Sequence, residues 1–221
     1  MEQSIVIGII VHVLAIFLAI TVHEFSHGLA AFLQGDKTAS DMGRLTLNPI
    51  AHIDPIGTLL IPGAMLLAQL PAIMAGSPPL LFGWAKPVPF NPHNLRSGRF
   101  GSFLVALAGP LSNFIMAVLA AFALKAFFPV LGTANFLVIF LAQFFLINVV
   151  LGTFNLIPIP PLDGSKILFN ILPPRFDRIA EWLDLYGFYI LIALLVFGQG
   201  LIGSLMYVVL GVFSRIFGLS L

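Results

Sequence analysis

The sequence predicts an all-α polytopic membrane protein of about five or six membrane segments, carrying a small membrane-associated β element. Three observations predict it. Hydrophobic residues make up 59% and charged residues only 9% of the 221 positions, against roughly 25% charged in a soluble domain. The apolar residues gather into runs of about twenty or more, the length a helix needs to cross a hydrocarbon core of about 30 Å. Several runs are present, whereas a cleaved signal peptide accounts for only one. No repeat, low-complexity tail or long polar stretch interrupts them, so residues 1–221 read as one integral-membrane domain. The formal charge of +1 argues against nucleic-acid binding, which needs a basic patch or stripe. Cysteine is absent, so disulfides and thiolate chemistry are excluded. Any metal must rest on histidine and carboxylate, which suit zinc.

The first apolar run extends from about Ile5 to Leu33. It is followed by a polar stretch, Gln34 to Pro55, that contains Lys37 and Arg44. Within that stretch Arg44-Leu45-Thr46-Leu47 alternates and is expected to form a short strand, stopped by Asn48-Pro49. Further runs are Gly57 to Ala75, Phe100 to Ala126, and Ala134 to Phe154. The last, from about Leu185 to Phe217, is long enough for two spans, with Gly198-Gln199-Gly200 as the expected break. The 22 phenylalanines fit lipid contact and helix packing better than ligand recognition.

Positive charge suggests an orientation. Lys37, Arg44, Lys86, Arg96, Arg99, Lys166, Arg175 and Arg178 lie in polar connections, which should therefore be cytoplasmic. The N-terminus would then lie outside, and Lys125 would be a single exception at an outer helix end. One difficulty follows. A single crossing by Gly57 to Ala75 would carry the basic stretch from Lys86 to Arg99 outside. A hairpin removes the conflict: the chain goes out, turns at Gly76-Ser77-Pro78-Pro79, and returns through Leu80 to Phe90 in partly extended form. Eleven residues are too few for a helical return but nearly enough for an extended one. Extended backbone at that depth must be sheltered by protein or line a cavity. A single span with an unusual charge distribution is the alternative.

His23-Glu24-Phe25-Ser26-His27 lies in the second half of the first run. A helix brings positions i and i+4 onto one face, so His23 and His27 can hold one zinc ion while Glu24 addresses a water. Glu24 projects about 100° around the helix from His23 and leaves the ligand position free. A catalytic zinc site usually has three protein ligands and a water. His12 shares the histidine face but lies roughly 16 Å away along the axis, so a helix-contact or pore-lining role is expected. His93, among Asn91, Pro92 and Asn94, reads as solvated. His52 and Asp54 fit capping or hydrogen bonding before an apolar run. Asp163 is the better third ligand. It lies in the run Asn155-Leu156-Ile157-Pro158-Ile159-Pro160-Pro161-Leu162-Asp163-Gly164, where three prolines prevent a regular helix. A carboxylate there is costly unless paired or metal-bound. The alternative is a surface turn in which Asp163 caps a helix starting near Ser165.

On these residues the chain resembles the site-2 protease family of intramembrane zinc metalloproteases. His23 to His27 matches that family's zinc-binding and catalytic motif. Asn155 through Asp163-Gly164 matches its second motif, and Ala108-Gly109-Pro110-Leu111-Ser112-Asn113 resembles its glycine- and asparagine-containing core helix. The match runs from the first helix to about Ile167, so a catalytic core of about 5–167 is expected, with C-terminal membrane segments at about 185–217. With no PDZ domain and the zinc helix first, the chain is similar to the compact subgroup.

The resemblance implies a zinc-dependent endopeptidase that hydrolyses peptide bonds in or near transmembrane segments. His23, His27 and Asp163 would hold one zinc per chain, and Glu24 would serve as acid and base. Asn155 would lie at the active site, touching unwound substrate backbone or the oxyanion; a simple turn role is its alternative. Asn113 reads as a polar link between helices, with Gly109 allowing close packing. The expected partners are a transmembrane-helix substrate and the lipid bilayer, in the cell membrane, with the site nearer the cytoplasm. The competing classes are a transporter and a non-catalytic membrane protein held together by zinc.

Overall fold

The computed structural model describes residues 2–74 and 83–218. Its helices are α1 (Glu2–Leu33), α2 (Thr38–Asp41), α3 (Ile61–Met74), α4 (Gly98–Leu131), α5 (Phe136–Asn155), α6 (Asp163–Ile171), α7 (Asp177–Phe197) and α8 (Gln199–Phe217). Five of them, α1, α4, α5, α7 and α8, are long and apolar enough to cross a membrane. The chain is therefore a multi-pass membrane protein. The C-terminal run divides in two at Gly198, as the glycines there suggested. Helix α7 begins at Asp177 rather than near Leu185. Its first turns carry Arg178, Glu181 and Asp184 on an exposed face, and their charge conceals the helix from a reading by hydropathy alone.

Helix α4 is the centre of the bundle and packs against α1, α5 and α6. Its buried face is built from small residues, among them Ala106, Gly109, Ala117, Ala120 and Ala121. Lipid offers no hydrophobic drive for helices to associate, so close backbone approach through small side chains carries the packing. Phe145 and Val149 of α5 fill the space that Ala117, Ala120 and Ala121 leave, and Phe213 and Phe217 of α8 lie against the same cluster.

The polar connections are tied to one another. Asp36 accepts hydrogen bonds from Asn91 N at 2.7 Å and Asn94 Nδ2 at 2.9 Å. Arg44 donates to Lys86 O at 2.8 Å, and Arg99 reaches Asp177 at 3.1 Å. The backbone N–H of Trp84 donates to Gly57 O at 3.1 Å, and that of Lys86 to His52 O at 3.0 Å. Gly57 and Trp84 are thus held side by side, as the expected hairpin would require. The proposed turn at Gly76-Ser77-Pro78-Pro79 lies outside the described residues.

The expected β element is a correction. Among the described residues there is no strand. Residues 45–47 form bends, because their neighbourhood bonds locally: Thr46 O accepts from His52 Nε2 at 2.8 Å, and Thr46 Oγ1 accepts from Asn48 N at 3.1 Å. Residues 83–90 form no regular element, and the N–H groups of Trp84, Lys86 and Val88 bond to Gly57 O, His52 O and the Glu24 side chain. Pro87 and Pro89 lack N–H groups, which removes donors that a ladder would need.

Candidate active site

His23 and His27 lie one turn apart on α1, and Asp163 is the first residue of α6. The fold brings them together across 140 and 136 residues of chain. His23 Nε2 lies 3.0 Å and His27 Nε2 3.1 Å from the same oxygen, Asp163 Oδ2, and the two nitrogens are 3.1 Å apart. Three ligands of a tetrahedral zinc, at bond lengths of about 2.0–2.2 Å, stand about 3.3 Å from one another. The triangle is within a few tenths of an ångström of that size. These three side chains could hold a metal ion, each offering one ligand atom.

The outer hydrogen bonds decide which atoms face inward. His23 Nδ1–H donates to Asn113 Oδ1 at 2.6 Å. His27 Nδ1–H donates to Val105 O at 2.7 Å. Each ring is thereby held through Nδ1 and turns its Nε2 towards Asp163. The rings stand nearly perpendicular, at 87°, which lets both lone pairs converge. With both imidazoles neutral, three acceptors converge on one point, an arrangement that a bound cation would join. Partners on the far ring nitrogen are what metal-ligating histidines ordinarily have. The residues present therefore fit zinc.

Asn113 is itself held in place. Its amide donates to Ala19 O at 3.3 Å and to Asn148 Oδ1 at 2.9 Å, and Asn148 donates to Phe144 O at 2.8 Å. Both asparagines are fully buried. Gly109 supplies space: a Cβ there would overlap His27 Nε2 and lie 2.7 Å from His23 Cε1. At Gly164 a Cβ would collide with the Leu156 and Ile157 backbone, so the glycine lets α6 start against that turn. Asp163 does not cap its helix with its side chain; Leu162 occupies the cap position, and the carboxylate turns to the histidines.

A cavity of about 660 Å³ adjoins the triangle and is lined by Glu24, Val88, Phe154, Asn155, Lys166 and other residues, most of them apolar. Glu24 Oε2 accepts a hydrogen bond from Val88 N at 2.9 Å. Asn155 reaches the cavity but donates to Leu151 O of its own helix at 3.0 Å. Lys166 Nζ stands 3.9 Å from Asp163 Oδ1, the oxygen turned away from the triangle. The other histidines are elsewhere. His52 bonds to Thr46 O, Asp54 accepts from Ile56 N and Gly57 N, His93 is exposed, and His12 faces Gln143.

Asn113 links helices and also bonds His23, while Asn148, the Val105 carbonyl and the Val88 N–H join the site without having been expected there. Buried asparagines in apolar spans were the available signal for the first two. Backbone groups leave none.

The description "Peptidase family M50" matches residues 131–196. A Bacillus subtilis protein named "Putative zinc metalloprotease YwhC" is 39% identical over 191 residues, which are 83% of this chain and 79% of that protein. "Putative zinc metalloprotease Rip2" of Mycolicibacterium smegmatis is 29% identical over 86% of this chain and 68% of its own length. Rip2 of Mycobacterium tuberculosis is 34% identical over 77% of this chain and 61% of its own. No solved structure matches the chain significantly. With a relative this similar spanning most of both chains, and with apolar helices around a histidine–carboxylate cluster, the chain belongs to peptidase family M50, the site-2 protease family of zinc metalloproteases.

Proposed function

We propose that this metalloprotease is an intramembrane endopeptidase that cuts transmembrane segments of other membrane proteins, using one zinc per chain. The observation that carries the reading is the convergence of two Nε2 atoms and one carboxylate oxygen beside Glu24, at the wall of a cavity that all three line. His23, His27 and Asp163 would hold the metal and leave one position open. Zinc held by these three groups would supply a Lewis acid that acidifies water and polarises a peptide carbonyl. Glu24 takes a proton from the attacking water and delivers it to the leaving amine, as a base within reach of both must. The Val88 N–H holds one of its carboxylate oxygens at the cavity wall. Asn155 has a second amide hydrogen beyond the one bonded to Leu151 O. It serves the exposed substrate backbone or the developing oxyanion.

The mostly apolar lining suits a transmembrane segment, whose internal hydrogen bonds must open before a carbonyl can reach the histidines. The basic connections around the site support a position on the cytoplasmic side of the cell membrane. A metal that merely joined helices would use four protein ligands, whereas three groups cluster here among the described residues.

The test is Glu24→Gln in proteoliposomes. The variant keeps its zinc and loses cleavage of a membrane-embedded peptide that the unaltered protein cuts in a chelator-sensitive way. The loss is at least about 10²–10⁴-fold. Undiminished cutting by the zinc-loaded variant overturns the mechanism. Cleavage of soluble peptides alone overturns the intramembrane assignment.

A further inference from the structure

His12 lies inside the first membrane span, and its Nδ1 is 3.4 Å from Gln143 Oε1 of α5. His12 is exposed and Gln143 is half-buried. Neither His12 Nε2 nor the Gln143 amide nitrogen has another hydrogen-bond partner among the described residues. Polar groups facing lipid are expensive, and in membrane proteins they ordinarily mark a pathway or a contact. The proton-transfer machinery makes no use of this pair.

Its position relates it to the cavity. His12 precedes His23 by eleven residues on α1, and Gln143 precedes the cavity-lining Phe154 by eleven on α5. Eleven residues turn a helix through three turns and about 20°, and raise it about 16 Å. The pair therefore stands above the site on both walls of one seam. Between the two lie the half-buried Ile16, Ile20, Ile147 and Leu151, and Ile20 and Leu151 also line the cavity itself. The seam is apolar along its length, polar at one end, and open to the candidate active site at the other.

We infer that the His12–Gln143 pair is a recognition site for the substrate's transmembrane helix. It accepts a polar side chain such as Asn, Gln, Ser or Thr, lodged in the α1–α5 seam. This rests on the intramembrane reading above. The spacing follows from the rise. A fully helical substrate places its polar residue about eleven residues from the scissile bond, on the side facing the N-termini of α1 and α5. If three residues next to that bond are extended at about 3.3 Å each, the spacing shortens to about seven.

A single Asn moved through an otherwise Leu- and Ala-rich transmembrane segment tests this in proteoliposomes. In the unaltered protein, kcat/KM peaks when Asn is about seven to eleven residues from the cut. The gain over the Asn-free segment is about three- to twentyfold, as for an interhelical hydrogen bond. His12→Leu with Gln143→Leu flattens the peak and cuts the Asn-free segment at the original rate. His12→Gln retains the peak, and zinc content confirms that each variant folds. A peak unchanged in the double variant, or a flat profile in the unaltered protein, overturns the proposal. A change of oligomeric state in the double variant also overturns it, and assigns the pair to an interface between copies. If no membrane-embedded segment is cut while soluble peptides are, the underlying intramembrane reading has failed instead.

Discussion

Replacing Gly109 with alanine separates two opposed effects. In an ordinary helix interior the added methyl stabilises by about 0.5–1 kcal/mol, because glycine loses more freedom on folding. Here the methyl would lie 2.5 Å from His27 Cε1 and 2.7 Å from His23 Cε1, where carbon atoms settle at about 3.5–4.0 Å. One or both rings must retreat by about 1 Å. They are not free to do so, since each is tethered through Nδ1, to Val105 O and to Asn113. Metal sites tolerate departures of only about 0.2 Å in ligand distance. Losing one outer partner typically costs about 10–100-fold in affinity, so displacing two ligands should cost more than about 100-fold. Zinc per chain, measured by elemental analysis of detergent-purified protein after competition with a graded chelator, reports the loss. Overpacking of about 1–3 kcal/mol outweighs the glycine gain, so the metal-free variant should also melt below the unaltered metal-free protein. Full zinc retention with a normal cleavage rate would refute the placement of both rings against α4.

Three further outcomes follow from the same geometry. Asn113→Leu removes the acceptor on His23 Nδ1 and should weaken zinc binding about 10–100-fold, while Asn113→Asp, which keeps an acceptor, should lose less; equal losses would show that only packing matters. Burial pushes the Asp36 carboxyl up, but hydrogen bonds from Thr38, Asn94 and Asn91 outweigh it and hold the group below its ordinary value. Its contribution is therefore present above the unfolded pKa of about 3.9 and is lost as pH falls through the lower folded value. Denaturation of the unaltered protein followed by near-ultraviolet circular dichroism should show this acid-side loss, and Asp36→Asn should reduce it. Because the chain has no cysteine, Ser40→Cys, His93→Cys and Ile171→Cys report topology singly. All three should resist an impermeant thiol reagent outside intact cells, and labelling of His93→Cys alone would mean that the chain between Gly57 and Trp84 crosses fully.

Local chemistry was legible in the sequence where one element decides it. The spacing of His23 and His27 puts them on one helix face, and the prolines before Asp163 stop α5 from running into α6. The break at Gly198 was visible for the same reason. Tertiary contacts were less legible. The alternation of Arg44 to Leu47 suits a strand, but a strand needs a partner, and side-chain bonds to Thr46 leave none. The N–H of Val88 reaches Glu24 across 64 residues, and no local pattern encodes such a contact. The start of α7 was hidden because a helix can carry charge at the membrane surface and still continue into the bilayer.

The order in which the three clustered groups leave the ribosome has a consequence for the cell that makes them. The histidines come first, and α4 brings Val105 and Asn113 only after roughly another eighty residues. Asp163 follows His23 by 140 residues, a delay of about seven to thirty seconds at ordinary rates of synthesis. Throughout that interval the nascent chain holds two of the three groups. A metalloprotease built in this order is thus incomplete while it is threaded through the insertion machinery, beside other unfinished membrane proteins. The covalent order of the chain itself acts as a delay.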